Sequence, residues 1–85
     1  MNIDVFSQVS DHYLNGLRLL NKNWLPKAVD EFQIVERLCD EPGDQPDYYF
    51  TALQKLSEIH ALLDHVDEAR HYAEKLRKAI DEVAV

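Results

Sequence analysis

Glycine, proline and cysteine are all scarce in this chain. Its 85 residues include two glycines, three prolines and one cysteine. So few breakers favour helix. The single cysteine, Cys39, excludes an internal disulfide and fits a reducing compartment, so a cytoplasmic location is expected. Positive charge is also short: nine Lys and Arg against 16 Asp and Glu leave a net charge of −7. That balance argues against broad nucleic-acid binding, which needs a basic surface to displace counterions, and against an anionic membrane as partner. No apolar run approaches the roughly 20 residues that span a bilayer. The opening MNIDVFSQVSDHY has no basic segment leading into an apolar run, so no signal peptide is expected. No glycine-rich loop is present to hold phosphate and no serine sits in a nucleophile elbow, so the chain is not expected to be an enzyme.

What is present is helical periodicity. Hydrophobic residues make up 46% and charged residues 29%, an ordinary balance for one small globular domain over residues 1–85. From about Asp4 to Asn21 the apolar residues Val5, Phe6, Val9, Tyr13, Leu14, Leu17 and Leu20 recur at spacings of three and four. Asn2 or Asp4 is the candidate cap. After a break at NKN (21–23), a second helix runs from about Trp24 to Cys39 with Leu25, Ala28, Val29, Phe32, Val35 and Leu38 inward. Pro26 is compatible with its first turn, where N–H groups are free. Pro42-Gly43 marks a turn, and Asp44 or Gln45 is the expected cap of a third helix from about Pro46 to Leu63. Tyr49, Leu53, Leu56, Ile59 and Leu63 share one of its faces. A break at DH (64–65) precedes a fourth helix, to about Val83, with Val66, Ala69, Ala73, Leu76, Ile80 and Val83 predicted inward. The pairs Glu74 with Lys78, Arg77 with Asp81 and Lys78 with Glu82 mark its solvent side. The fold class is therefore all-α: two helix–turn–helix hairpins.

The hairpins repeat one another. Gly16, Ala28, Phe32 and Val35 in the first match Ser57, Ala69, Ala73 and Leu76 in the second. A small residue facing an alanine lets two helices cross closely while larger side chains fill the space beyond. With NWLPKAVDEF and HVDEARHYAEKL as second-helix entries, the pattern resembles the tetratricopeptide repeat, a helix–turn–helix unit of about 34 residues. The departures are His12 and Asn15 in the first helix, Leu19 and His60 three residues beyond the small position, and Asp40 and Asp81 where that family closes a unit with proline. The resemblance implies two stacked repeats, about 4–40 and 47–84, in a right-handed superhelical array joined by a connector at about 41–46. The step from Ala28 to Ala69 is longer than one such unit, and the excess falls in DEPGDQP. That segment does not fit an EF-hand loop: counted from Asp40, sixth place is Gln45 and twelfth is Thr51. It reads as a solvated acidic connector, with steering of a basic partner as the alternative role.

Other groups have modest readings. The histidines His12, His60, His65 and His71 invite a metal, and Glu68-x-x-His71 matches half of a di-iron carboxylate motif. No second copy exists, and Glu68 and His71 lie off the predicted inward face. They read as surface or half-buried histidines, with no metal and no cofactor expected. Cys39 reads as a small, partly buried apolar residue. Trp24 and Tyr49 read as core or staple residues, and Tyr48 and Phe50 as partly exposed.

The resemblance implies a protein-binding adaptor with a groove lined by the first helix of each pair. Its groove positions fall on Tyr13, Leu17, Leu20 and Asn21, and on Thr51, Gln54, Lys55 and Glu58. Only Lys55 is basic, which disfavours a carboxylate clamp and favours an extended peptide or an amphipathic helix of another protein. Equally, Leu17 and Leu20 fit as packing against the third helix. Two repeats are fewer than the three or so such arrays need, and the fourth helix has no successor to cover its outer side, with Tyr72 and Ala79. Its alternative use is thus self-association into a homodimer. A metal-dependent four-helix bundle enzyme is a remote third class.

Overall fold

A computed structural model describes residues 2–39 and 46–84, with side chains from Ser7 to Cys39 and from Asp47 to Val83. Four helices account for it: α1 (Asn2–Asn21), α2 (Leu25–Leu38), α3 (Pro46–Leu62) and α4 (Val66–Ala84), with no strand among the described residues. The expected connector turn and the cap at Asp44 or Gln45 lie outside the described residues, as do the side chains of Asn2 and Asp4.

The two hairpin turns have the same construction. In the first, the Asn23 N–H donates to Leu20 O (3.0 Å) and the Trp24 N–H to Leu19 O (2.9 Å). In the second, Asp64 donates to Ala61 O (3.1 Å) and His65 to His60 O (2.8 Å). Asn23 and Asp64 hold φ of 62° and 64°. A left-handed residue with these paired bonds is a Schellman ending, which satisfies the last carbonyls of a helix. Asn and Asp tolerate that conformation better than other non-glycine residues. Every partner in one turn has its counterpart in the other, in the same register that matches Ala28 to Ala69. The close crossing repeats too. Gly16 lies so near α2 that a Cβ would sit 2.7 Å from the Phe32 ring tip. At the matching place Ser57 Oγ donates to Ala69 O at 2.9 Å.

Packing is open rather than bundled. The helix α1 lies on α2, α3 lies on α4, and α3 also lies against α2 and, more lightly, α1. The helix α4 has no comparable backbone contact with α1 or α2 among the described residues. The Cα envelope is 36 × 28 × 15 Å. Two helix layers about 10 Å apart account for the thin dimension. A square four-helix bundle would be that thin in two directions, and this molecule is not. Side chains bridge α2 to α4: Lys75 donates to Glu36, and Gln33 Nε2 donates to Tyr72 Oη at 3.3 Å.

The helix α3 is the hub. Tyr49, Ala52, Leu53, Leu56, Ile59 and His60 are all buried, and Phe32 and Val35 of α2 and Val9 of α1 pack into the same core. Burying each large apolar side chain contributes about 1.5–3 kcal/mol.

Several expectations are corrected. The inward side of α4 carries Tyr72 and Ala79, at 9% and 4% exposure, with Leu76 and Ala69 part-buried beside them. Val66, Ala73, Ile80 and Val83 face out instead. The ring of Tyr72 brings more apolar area than any of these and reaches Gln33, so the helix turns that edge inward. Leu14 is exposed, and so is Trp24 at 51%, because it follows the left-handed residue at the rim of the hairpin. Cys39 is fully buried at the end of α2. On α4, Arg77 bridges both Asp81 (3.3 Å) and Glu74 (3.1 Å), so Glu74 pairs with Arg77 rather than with Lys78.

Candidate functional site

The eight groove candidates lie on α1 and α3, which are neighbours. Tyr13 is half-buried and joins three helices. Its ring meets Phe32 edge-on at 5.9 Å and Tyr48 at 5.4 Å. Leu17 and Leu20 are part-buried and rest against the core, and Asn21 ends α1 in solvent. On α3 the row Thr51, Gln54, Lys55 and Glu58 follows helical spacing, so all four share a face. Thr51 Oγ1 donates back to Asp47 O at 2.7 Å, which ties the hydroxyl to its own helix. Glu58 gathers Gln54 Nε2 at 3.5 Å and Lys55 Nζ at 3.7 Å. The result is an apolar row on one helix beside a polar, charge-balanced row on the other.

A second group forms at the end of the second hairpin. His60 is 8% exposed and its ring stacks on Tyr72, with centroids 5.6 Å apart and planes 6° from parallel. Its Nδ1 lies 3.1 Å from His65 Nδ1, and His65 Nδ1 lies 3.8 Å from Glu68 Oε2. The donor atoms of the three residues all fall within 4.8 Å of one another. The His60 Nε2 is buried without a hydrogen-bond partner. Burial pushes the His60 imidazole below its ordinary pKa, the neighbouring His65 adds to this, and Glu68 opposes it. A hydrogen bond across the Nδ1 pair needs one ring to donate and the other to accept, so a single proton lies between them. His71, by contrast, meets only the edge of Tyr72 among the described ring contacts, at 5.1 Å, and His12 Nδ1 pairs with Glu31 at 3.1 Å.

Sequence reasoning paired Glu68 with His71 and missed this grouping. His60 and His65 are five apart, which in a continuous helix points them to different sides. The chain reversal at Asp64 is what brings them together. The legible signal was the turn itself, a polar break that contains His65 and follows His60 by about one helical turn.

A third feature surrounds Trp24. Lys22 and Lys27 place their ammonium groups 5.2 and 5.4 Å from its ring centroid, beside a shallow depression lined by Asn23, Trp24, Pro26 and Lys27. Such cation–π contacts at an exposed site are worth about 0.5–1 kcal/mol. No described helix is long and apolar enough to cross a membrane. Comparison with family models, with curated proteins and with solved structures returns no match.

Proposed function

We propose that this chain is a small tetratricopeptide-like adaptor of the cytoplasm. It binds an extended peptide or an amphipathic helix of another protein across α1 and α3. The observation that carries this reading is the repetition of one hairpin by the next, turn bond for turn bond, in an open array. Stacked helical hairpins present long surfaces rather than enclosed pockets, and such surfaces suit chains of other proteins. Tyr13, Leu17 and Leu20 supply apolar contact, and Thr51, Gln54, Lys55 and Glu58 supply hydrogen bonds and register. The buried thiol of Cys39 fits a reducing location.

The test is selection of peptides from a displayed library on the full chain, followed by amide chemical-shift mapping of the best binder. Shifts concentrated on Leu17, Leu20, Thr51, Gln54, Lys55 and Glu58, with binding lost in Leu17→Asp, support the groove. Shifts confined to α4, or binding indifferent to Leu17→Asp, reject it.

One observation favours a second reading. Val66, Ile80 and Val83 are 60%, 45% and 48% exposed, and with Ala73 they form an apolar stripe along α4. Their spacing, with Ala69 and Leu76 between, is that of a helix-pairing seam. A homodimer through this stripe is the alternative working form. Light scattering coupled to size exclusion over a hundred-fold concentration range separates the two: a monomer throughout excludes the dimer.

A further inference from the structure

We propose that His60, His65 and Glu68 form a binding site for a divalent transition-metal cation of the zinc class, where α3 turns into α4. The geometry is nearly that of a coordination shell. Metal–ligand bonds of about 2.0–2.2 Å at tetrahedral angles put neighbouring donor atoms roughly 3.4 Å apart. The two Nδ1 atoms are already 3.1 Å apart, and Glu68 Oε2 is 3.8 Å from His65. The Glu68 side chain is half-exposed and lies in the first turn of α4, so a change of rotamer closes the remaining gap. A cation bound by both Nδ1 atoms would displace the proton that joins the two rings and sit to one side of the line between them.

The donor set selects the ion. Two imidazoles and one carboxylate suit zinc, copper or nickel, whereas calcium and magnesium take oxygen ligands. Three protein ligands leave a fourth position to water. Asp64 and Asp67 lie in the chain on either side of His65, adding negative charge nearby. The carbonyl end of α3 favours a cation and the N-terminus of α4 opposes it, so the carboxylates decide the local sign.

The first hairpin is an internal comparison. In the register that matches Ala28 to Ala69, His60, His65 and Glu68 correspond to Leu19, Trp24 and Lys27. That hairpin closes with the same backbone bonds and none of the three ligands. The turn therefore does not require them. Indeed His60 carries a cost that Leu19 does not, a buried ring nitrogen without a partner. Coordination through both Nδ1 atoms places the His60 proton on that same Nε2, with no outer partner to receive it. This lowers the affinity by about 10–100-fold relative to a site whose ligands have outer partners.

The experiment titrates zinc ion alone into the full chain by calorimetry, with cobalt(II) as an optical probe. The expected result is one equivalent bound, a raised Tm, and the visible bands of four-coordinate cobalt. His65→Ala and Glu68→Gln change half-exposed side chains and keep the fold, checked by circular dichroism. Each lowers zinc affinity by at least the roughly tenfold that even an outer ligand change costs. His60→Leu copies the first hairpin, keeps the fold and abolishes binding. His12→Ala and His71→Ala leave it unchanged, and magnesium and calcium have no effect. The proposal is overturned if zinc does not bind, if His65→Ala binds zinc as tightly as the parent, or if His12→Ala or His71→Ala reduces binding equally.

Discussion

Replacing Gly16 by alanine sets two effects of known sign against each other. Gly16 lies well inside α1, where alanine is favoured over glycine by about 1 kcal/mol. Helix propensity alone therefore predicts a more stable protein. The structure predicts the reverse. A Cβ at Gly16 would lie 2.7, 2.8 and 3.0 Å from three ring atoms of Phe32. Comfortable carbon–carbon contact is about 3.5–4.0 Å, so something must move by nearly an ångström. Phe32 has no exposure and is held edge-on by Tyr13, so its ring has nowhere cheap to go. Overpacking of this kind costs about 1–3 kcal/mol. The difference leaves Gly16→Ala destabilised by up to about 2 kcal/mol. Urea unfolding followed by circular dichroism measures it as a lower midpoint at unchanged slope. The decisive measurement is the double-mutant cycle with Phe32→Leu, which removes the ring tip. In that background the alanine has room, and Gly16→Ala becomes stabilising by up to about 1 kcal/mol. The coupling is then about 1–3 kcal/mol. Additive effects, or a Gly16→Ala protein more stable than the parent, would refute the close-crossing account.

Other outcomes follow from burial and charge. Leu53→Ala, at a residue with no exposure on the hub helix, lowers stability by about 2–5 kcal/mol, while Leu62→Ala, at 68% exposure, changes it by less than about 0.5 kcal/mol; thermal and urea unfolding of the pair tests both. Lys75→Met leaves the largely buried Glu36 carboxylate without its partner and costs about 1–3 kcal/mol at neutral pH. Burial depresses the Lys75 ammonium, but the Glu36 hydrogen bond and charge outweigh it, so its pKa is raised above the ordinary 10.5. A raised pKa means the pair's contribution is complete below about 10.5 and fades as pH climbs through the folded-state value. The Tm gap between parent and Lys75→Met therefore stays flat from neutral pH to the onset of that range and narrows only above it; a gap that closes near neutral pH contradicts the assignment. Ile80→Ser leaves the fold intact, since Ile80 is 45% exposed on α4, and weakens a dimer if one forms through that stripe; circular dichroism and scattering check the two points, and a large loss of stability in dilute monomer would place Ile80 in the core after all.

Much of the helical architecture was determined by the sequence itself. Spacings of three and four, two prolines in or near first turns, and polar breaks at 21–23 and 64–65 set four helices to within a residue or two of where they lie. The repeat of Gly16 and Ala28 in Ser57 and Ala69 was legible because each hairpin must solve the same steric problem, a small residue against a close neighbour. The buried face of α3 was legible for a related reason: a helix packed on several sides needs nearly every apolar residue it has.

Only the tertiary structure decided which way α4 faces. Its apolar residues lie on two overlapping stripes, one with Val66, Ala73, Ile80 and Val83, the other with Tyr72 and Ala79, and Ala69 and Leu76 serve both. Periodicity reports that a stripe exists, not which neighbour it meets. The choice fell to contacts from elsewhere in the chain: Gln33 of α2 on the Tyr72 hydroxyl and His60 of α3 on its ring. The same holds for the histidine cluster. Residues five apart are on different sides of any single helix, and it took a left-handed residue at Asp64 to fold His65 and Glu68 back over His60. Local pattern determines elements because backbone geometry is local. Which side chains meet is a matter of how those elements dock, and that depends on the whole chain at once.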